Sequence, residues 1–117
     1  MKIVKAIAVL SLVLPALAFA QANTPRVDQR EANQERRIDQ GVASGSLTPR
    51  EANRLDRGQQ RVDRMESRAK ADGVVTRQER AQLNHAQNVQ SRRIYAEKHD
   101  RQHDYNHNGV VDQPRRR

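Results

Sequence analysis

Gly45-Ser46-Leu47-Thr48-Pro49-Arg50-Glu51-Ala52-Asn53-Arg54-Leu55 decides how this chain folds, because the same pattern occurs twice. The second copy is Gly73-Val74-Val75-Thr76-Arg77-Gln78-Glu79-Arg80-Ala81-Gln82-Leu83, and both read Gly-x-aliphatic-Thr-x-x-Glu-x-x-x-Leu. A threonine followed three residues later by glutamate is a capping box. The hydroxyl accepts a backbone N–H from the first helical turn, and the carboxylate reaches back to the threonine amide. The upstream glycine stops the preceding helix by taking the left-handed conformation. Pro49 adds a preset first helical residue, and Thr24-Pro25 offers the same start earlier in the chain. These signals predict helices over about 25–40, 48–71 and 76–102, the first stopped by Gly41 and Gly45. Strand signals are nearly absent. The expected fold is all-α, a small helix-loop-helix bundle.

Composition narrows the class. Of 117 residues, 22 are Lys or Arg and 14 Asp or Glu, giving a formal charge of +8, with no cysteine. Lys2 and Lys5, the apolar run Ile7 to Leu14 and the small-residue site Ala18-Phe19-Ala20 read as a Sec-type secretory signal over 1–20. The absence of cysteine rules out a lipoprotein anchor and disulfides. The expected product is a periplasmic or secreted bacterial protein, residues 21–117 forming one small helical domain with no transmembrane segment after cleavage. Beyond Gln21 there is no Phe or Trp. A chain this short and polar buries little, so a metal, a partner or self-association would have to supplement its core.

The second helix carries Arg50, Arg54, Arg57, Arg61, Arg64 and Arg68, whose alternating steps of four and three keep them on one stripe. Beside it runs an apolar stripe of Ala52, Leu55, Val62, Met65 and Ala69, interrupted by Gly58 and Gln59. The arginines are read first as a salt-bridged flank, with Glu51, Asp56, Asp63, Glu66 and acids of the first helix as partners. The other reading is a cationic face for an anionic envelope component or lipid, with self-association through helix 48–71 using the apolar seam. Nucleic acid is not expected as a partner, since the stacking aromatics that grip single strands are missing. No nucleophile–base set and no phosphate-loop glycine motif is present, so the chain is read as no enzyme.

Near the C-terminus stands Asp104-Tyr105-Asn106-His107-Asn108-Gly109-Val110-Val111-Asp112. Oxygen-bearing side chains occupy relative positions 1, 3, 5 and 9, glycine position 6, and an aliphatic residue position 8, as a hard-cation loop requires. Alternating side chains point inward, glycine takes the bend, and the Val110 carbonyl adds an oxygen. The stretch is read as a calcium-type loop.

In these residues the chain resembles the EF-hand superfamily, in a degenerate form. With glycine at position 6 of each loop, Glu51 and Glu79 fall at position 12, where an EF-hand places its bidentate glutamate. The resemblance implies a best-matched loop over 104–115, with ligands Asp104, Asn106, Asn108, Val110 and Asp112, although Arg115 stands at position 12. It implies degenerate loops over 40–51 and 68–79. The second keeps Asp72, Thr76 and Glu79 but has Arg68 and Lys70 where acids belong. Capping boxes explain Thr48/Glu51 and Thr76/Glu79 without any ion. Leu47-Thr48-Pro49-Arg50-Glu51 is also similar to the Leu-Thr-x-x-Gln signature of small helical periplasmic stress chaperones and zinc or cobalt sensors, with Glu51 replacing the glutamine.

His99, His103 and His107 recur every four residues at the predicted end of the third helix. On a helix, His99 and His103 would share a face and could chelate Zn²⁺ or Cu²⁺. The plain alternative is a solvated helix end whose imidazoles suit the dipole. The functional expectation is therefore exported Ca²⁺ binding through degenerate EF-hand-like loops. Its alternative is transition-metal binding or resistance, or chaperone-like activity, through the histidines or the arginine face.

Overall fold

The computed structural model describes residues 23–113, so the signal reading of 1–20 and Arg115 lie outside the described residues. Three α-helices follow one another: α1 (Pro25–Ala43), α2 (Pro49–Lys70) and α3 (Arg77–Lys98), and each packs against the other two. No strand occurs among the described residues. The protein is a small all-α bundle running up, down and up, and none of its described helices is long and apolar enough to cross a membrane.

Both capping boxes form as the sequence dictates. The Thr48 and Thr76 hydroxyls accept the amides of Glu51 and Glu79, whose carboxylates accept the threonine amides at 2.9 and 2.8 Å. The first start differs. Thr24 makes no side-chain cap; it is buried, and its hydroxyl donates to Glu66 near the end of α2. That bond ties the first residues of the bundle to the far end of the second helix.

The stops also shift. Gly41 lies inside α1 rather than ending it, because an added Cβ would fall 2.6 Å from Leu47 Cδ1: here glycine makes room for a core leucine. The turn itself comes at Gly45, with φ +74°. At the other end α3 stops at Lys98 instead of running to 102. Asp100 Oδ1 accepts the Gln102 amide at 2.7 Å, a local turn that competes with further helix.

The core is divided. Ile38, Leu47, Leu55 and Ile94 form one apolar cluster; Ala69, Val75 and Leu83 form a second, with Val27 and Met65 against it. Between them along all three helices lie buried glutamines: Gln34, Gln59, Gln87 and Gln90. Their amides donate to backbone carbonyls of neighbouring helices: Gln34 to Gln87, Gln87 to Val27 and Gln90 to Leu55, at 2.8–3.0 Å. The interruption at Gly58 and Gln59 is part of this layer, since a Cβ at Gly58 would collide with the Gln90 amide.

Candidate calcium-type loop and its setting

After α3 the chain turns back onto the bend between α1 and α2. The Asp104 amide donates to the Gly45 carbonyl at 2.9 Å. Gly45 is required for this approach, because a Cβ there would lie 2.6 Å from both Asp104 O and Tyr105 Cα. Asp104, only 3 % exposed, is the anchor of the loop. Its two carboxylate oxygens accept the amides of Asn108 and Gly109, each at 2.9 Å.

The remaining oxygen-bearing residues converge on the same turn. Asn106 Oδ1 accepts the Asn108 amide at 3.0 Å, and Asn108 Oδ1 accepts the Val110 amide at 2.8 Å. Asp112 accepts the Tyr105 amide on one oxygen at 2.7 Å and the Asn106 side-chain amide on the other at 2.8 Å. The Asp112 amide donates to the His103 carbonyl at 2.7 Å and closes the loop. The tight path needs two left-handed residues, His107 (φ 56°) and Gly109 (φ 80°). Glycine takes that conformation freely, and histidine is among the side chains that tolerate it better than most. The structure thus brings Asp104, Asn106, Asn108 and Asp112 together. Val110 and Val111 remain exposed, and the loop is tied to the bend between α1 and α2 by the Asp104–Gly45 backbone bond.

The other predicted groups are used locally. Asp72 accepts the Val74 amide at 3.0 Å, while Thr76 and Glu79 are consumed by their capping box. The three histidines do not converge. His99 is the residue after α3 and stacks on Tyr95, its Nδ1 2.7 Å from the Tyr95 carbonyl. His103 lies beyond the helix and stacks on Tyr105, and His107 is exposed in the loop. The premise that His99 and His103 share a helical face fails because the helix ends before both.

All six arginines of α2 are exposed, but the salt-bridged flank does not form as expected. Among the described residues Arg54 alone of the six is ion-paired, to Glu97 at 3.3 Å. Two of the acids expected to pair are engaged elsewhere: Glu51 in its cap, Glu66 with Thr24 and Lys70.

Two acidic clusters escaped the sequence reading, because each unites residues distant along the chain. One is Asp28, Glu31 and Glu66, served by Lys70 at 2.7 Å from Glu66 and 3.6 Å from Asp28. Burial pushes Glu66 up, but Lys70 and Thr24 outweigh it and the net shift is downward. Lys70 is raised in turn by Glu66. Glu31 gains no such donor: burial, then the charges of Glu66, Asp63, Asp28 and Glu35, push it up to about 7. The other cluster is Glu51, Glu97 and Asp100, at the root of the tail.

Comparison with known proteins adds no relative: no protein-family model, curated protein or solved structure matches the chain.

Proposed function

We propose that this protein binds Ca²⁺ through its C-terminal loop, as an exported binding protein rather than an enzyme. Asp104, Asn106, Asn108 and Asp112 would supply side-chain oxygens and Val110 its carbonyl. The observation that carries this reading is the convergence of the four side chains on one turn, anchored by the buried Asp104 carboxylate. Calcium takes six to eight oxygens from carboxylates, amides, carbonyls and water. The ion would supply charge neutralisation, and this chain's residues supply the turn that carries the two carboxylates. Affinity is expected to be low, on the order of 10⁻⁴ M or weaker, since two carboxylates and two amides carry little charge. The basic balance of the chain works in the same direction.

Binding would tie the tail to Gly45 and stabilise the fold by RT ln(1 + [L]/Kd). The test is an amide NMR titration with Ca²⁺ and then Zn²⁺. A saturable shift of Gly109 with calcium that disappears in Asp112→Asn supports the loop. A static Gly109, with His99, His103 and His107 moving on zinc, transfers the role to the soft-metal reading.

A second reading rests on the arginine stripe, exposed and, apart from Arg54, without an ion pair among the described residues. Such a face suits an anionic envelope component. Retention on an anionic polymer should fall with salt, because exposed charges are screened beyond about 8–10 Å at 0.1–0.15 M.

A further inference from the structure

The acids at the root of the tail differ from those at the opposite end of the bundle. Glu51, Glu97 and Asp100 place one carboxylate oxygen each within 4.8 Å of one another. Glu51 is wholly buried, with 0 % exposure. One of its oxygens accepts from the Thr48 amide and hydroxyl, each at 2.9 Å; the other is buried and has no donor. Burial first, and then the Asp100 carboxyl within side-chain hydrogen-bonding reach, raise Glu51 above the ordinary carboxylate range against the Thr48 donors. At the opposite cluster Lys70 answers the buried Glu66 directly. Here Arg54 reaches only Glu97, at 3.3 Å and with half its own side chain in solvent, and the group within hydrogen-bonding reach of Glu51 is another carboxyl, Asp100, rather than a cation.

We infer that Glu51, Glu97 and Asp100 form a second hard-cation site, taking a divalent ion of the size of Ca²⁺ between the start of α2 and the end of α3. Three carboxylates offset by one arginine leave a surplus of negative charge that a divalent ion matches. The spacing fits as well. Ligands on opposite sides of an ion at 2.3–2.6 Å stand at most about 5 Å apart. The shorter bonds of Mg²⁺, about 2.0–2.1 Å, would demand that the three oxygens close in. Water completes the coordination on the side of Glu97 and Asp100, both half-buried. This is not a loop site of the calcium type: two of its three ligands come from the end of α3 and the turn after it. It does not depend on the loop of residues 104–112. Its consequence is that an ion would pin the root of the tail to the cap of α2.

The test is a calcium titration read by side-chain carboxyl carbon-13 shifts, with the pH dependence of the same signals recorded. The expected result is saturable movement of the Glu51, Glu97 and Asp100 signals in the unaltered protein. Glu97→Gln and Asp100→Asn should each weaken that response by roughly tenfold or more, since affinity follows ligand charge. Neither variant should alter the response of Asp104 and Asp112. Arg54→Gln should strengthen binding by freeing Glu97. Movement of Asp104 and Asp112 alone overturns the second site and leaves the loop intact. A Glu51–Asp100 pair that holds a proton at neutral pH and releases none on adding calcium overturns it too. The converse, movement at Glu51 with Asp104 and Asp112 static, upholds this site while removing the loop. The decisive reading is made on the unaltered protein, so a variant that fails to fold does not block it.

Discussion

At the residue scale, most polar side chains that looked chemical in the sequence turn out to be engaged with the backbone. Thr48, Glu51, Thr76 and Glu79 close helix ends, and Asp104, Asn106, Asn108 and Asp112 hold one turn through amide donors. The capping boxes were legible because their bonds span three residues, within reach of local sequence. Glu31 was not legible: its environment comes from Glu66 and Asp63 on another helix. Its carboxyl sits at about 7 in the fold against an ordinary 4.5, so the folded state holds a proton that the unfolded chain has released between those values. Stability should therefore fall as pH rises from 4.5 towards 7, and the loss is complete above 7. Glu31→Gln should remove that part of the slope and raise the melting temperature at pH 8, as read by circular dichroism. A slope unchanged by the substitution would place the titration elsewhere. Gly45 presents a steric case. With φ +74° and no room for a Cβ, Gly45→Ala should cost roughly 1–3 kcal/mol. It should also strip hydrogen-exchange protection from the Asp104 amide while α1 to α3 keep theirs.

At the scale of elements, helix starts followed the sequence closely and helix ends did not. The starts of α2 and α3 are set by a cap encoded within four residues, while α1 starts at Pro25 without a side-chain cap. An end depends on what the chain meets next, as Gly41 shows by continuing α1 so that Leu47 can pack on it. Gly58 shows the same dependence from the opposite helix. In isolation, Gly58→Ala would gain about 1 kcal/mol of helix propensity. In the bundle the new methyl displaces Gln90, breaking its 2.8 Å bond to the Leu55 carbonyl and stranding a buried amide. That penalty, about 1–3 kcal/mol, exceeds the gain, so Gly58→Ala should destabilise in urea. In a Gln90→Ala background the same substitution should become stabilising. Two additive effects would show that the amide does not occupy the Gly58 slot in solution.

At the scale of the whole molecule, the bundle has a polar centre between two small apolar ends. The glutamine layer fixes how the helices align, because its donors meet particular carbonyls: Gln34 to Gln87, and Gln87 to Val27. It also costs stability, since the side-chain oxygens of Gln34 and Gln59 are buried without a donor. Gln34→Leu should therefore stabilise the protein by roughly 1 kcal/mol in chemical denaturation, removing an orphan acceptor while the Gln87 carbonyl keeps its in-helix donor. A loss of stability would mean that the layer is worth more as a network than as single bonds. By itself the sequence determined three helices, the two capping boxes, the basic surface and the order of oxygen side chains in the tail. All of these are encoded over a few neighbouring residues or in composition. Only the tertiary structure decided that the tail folds back on Gly45, that the histidines separate, that the arginine stripe is left largely unpaired, and that Glu51 meets Glu97 and Asp100. The histidines separate because the turn at Asp100 ends α3 before them; the others depend on residues brought together by the packing of one helix on another, and distance along the chain carries no record of it.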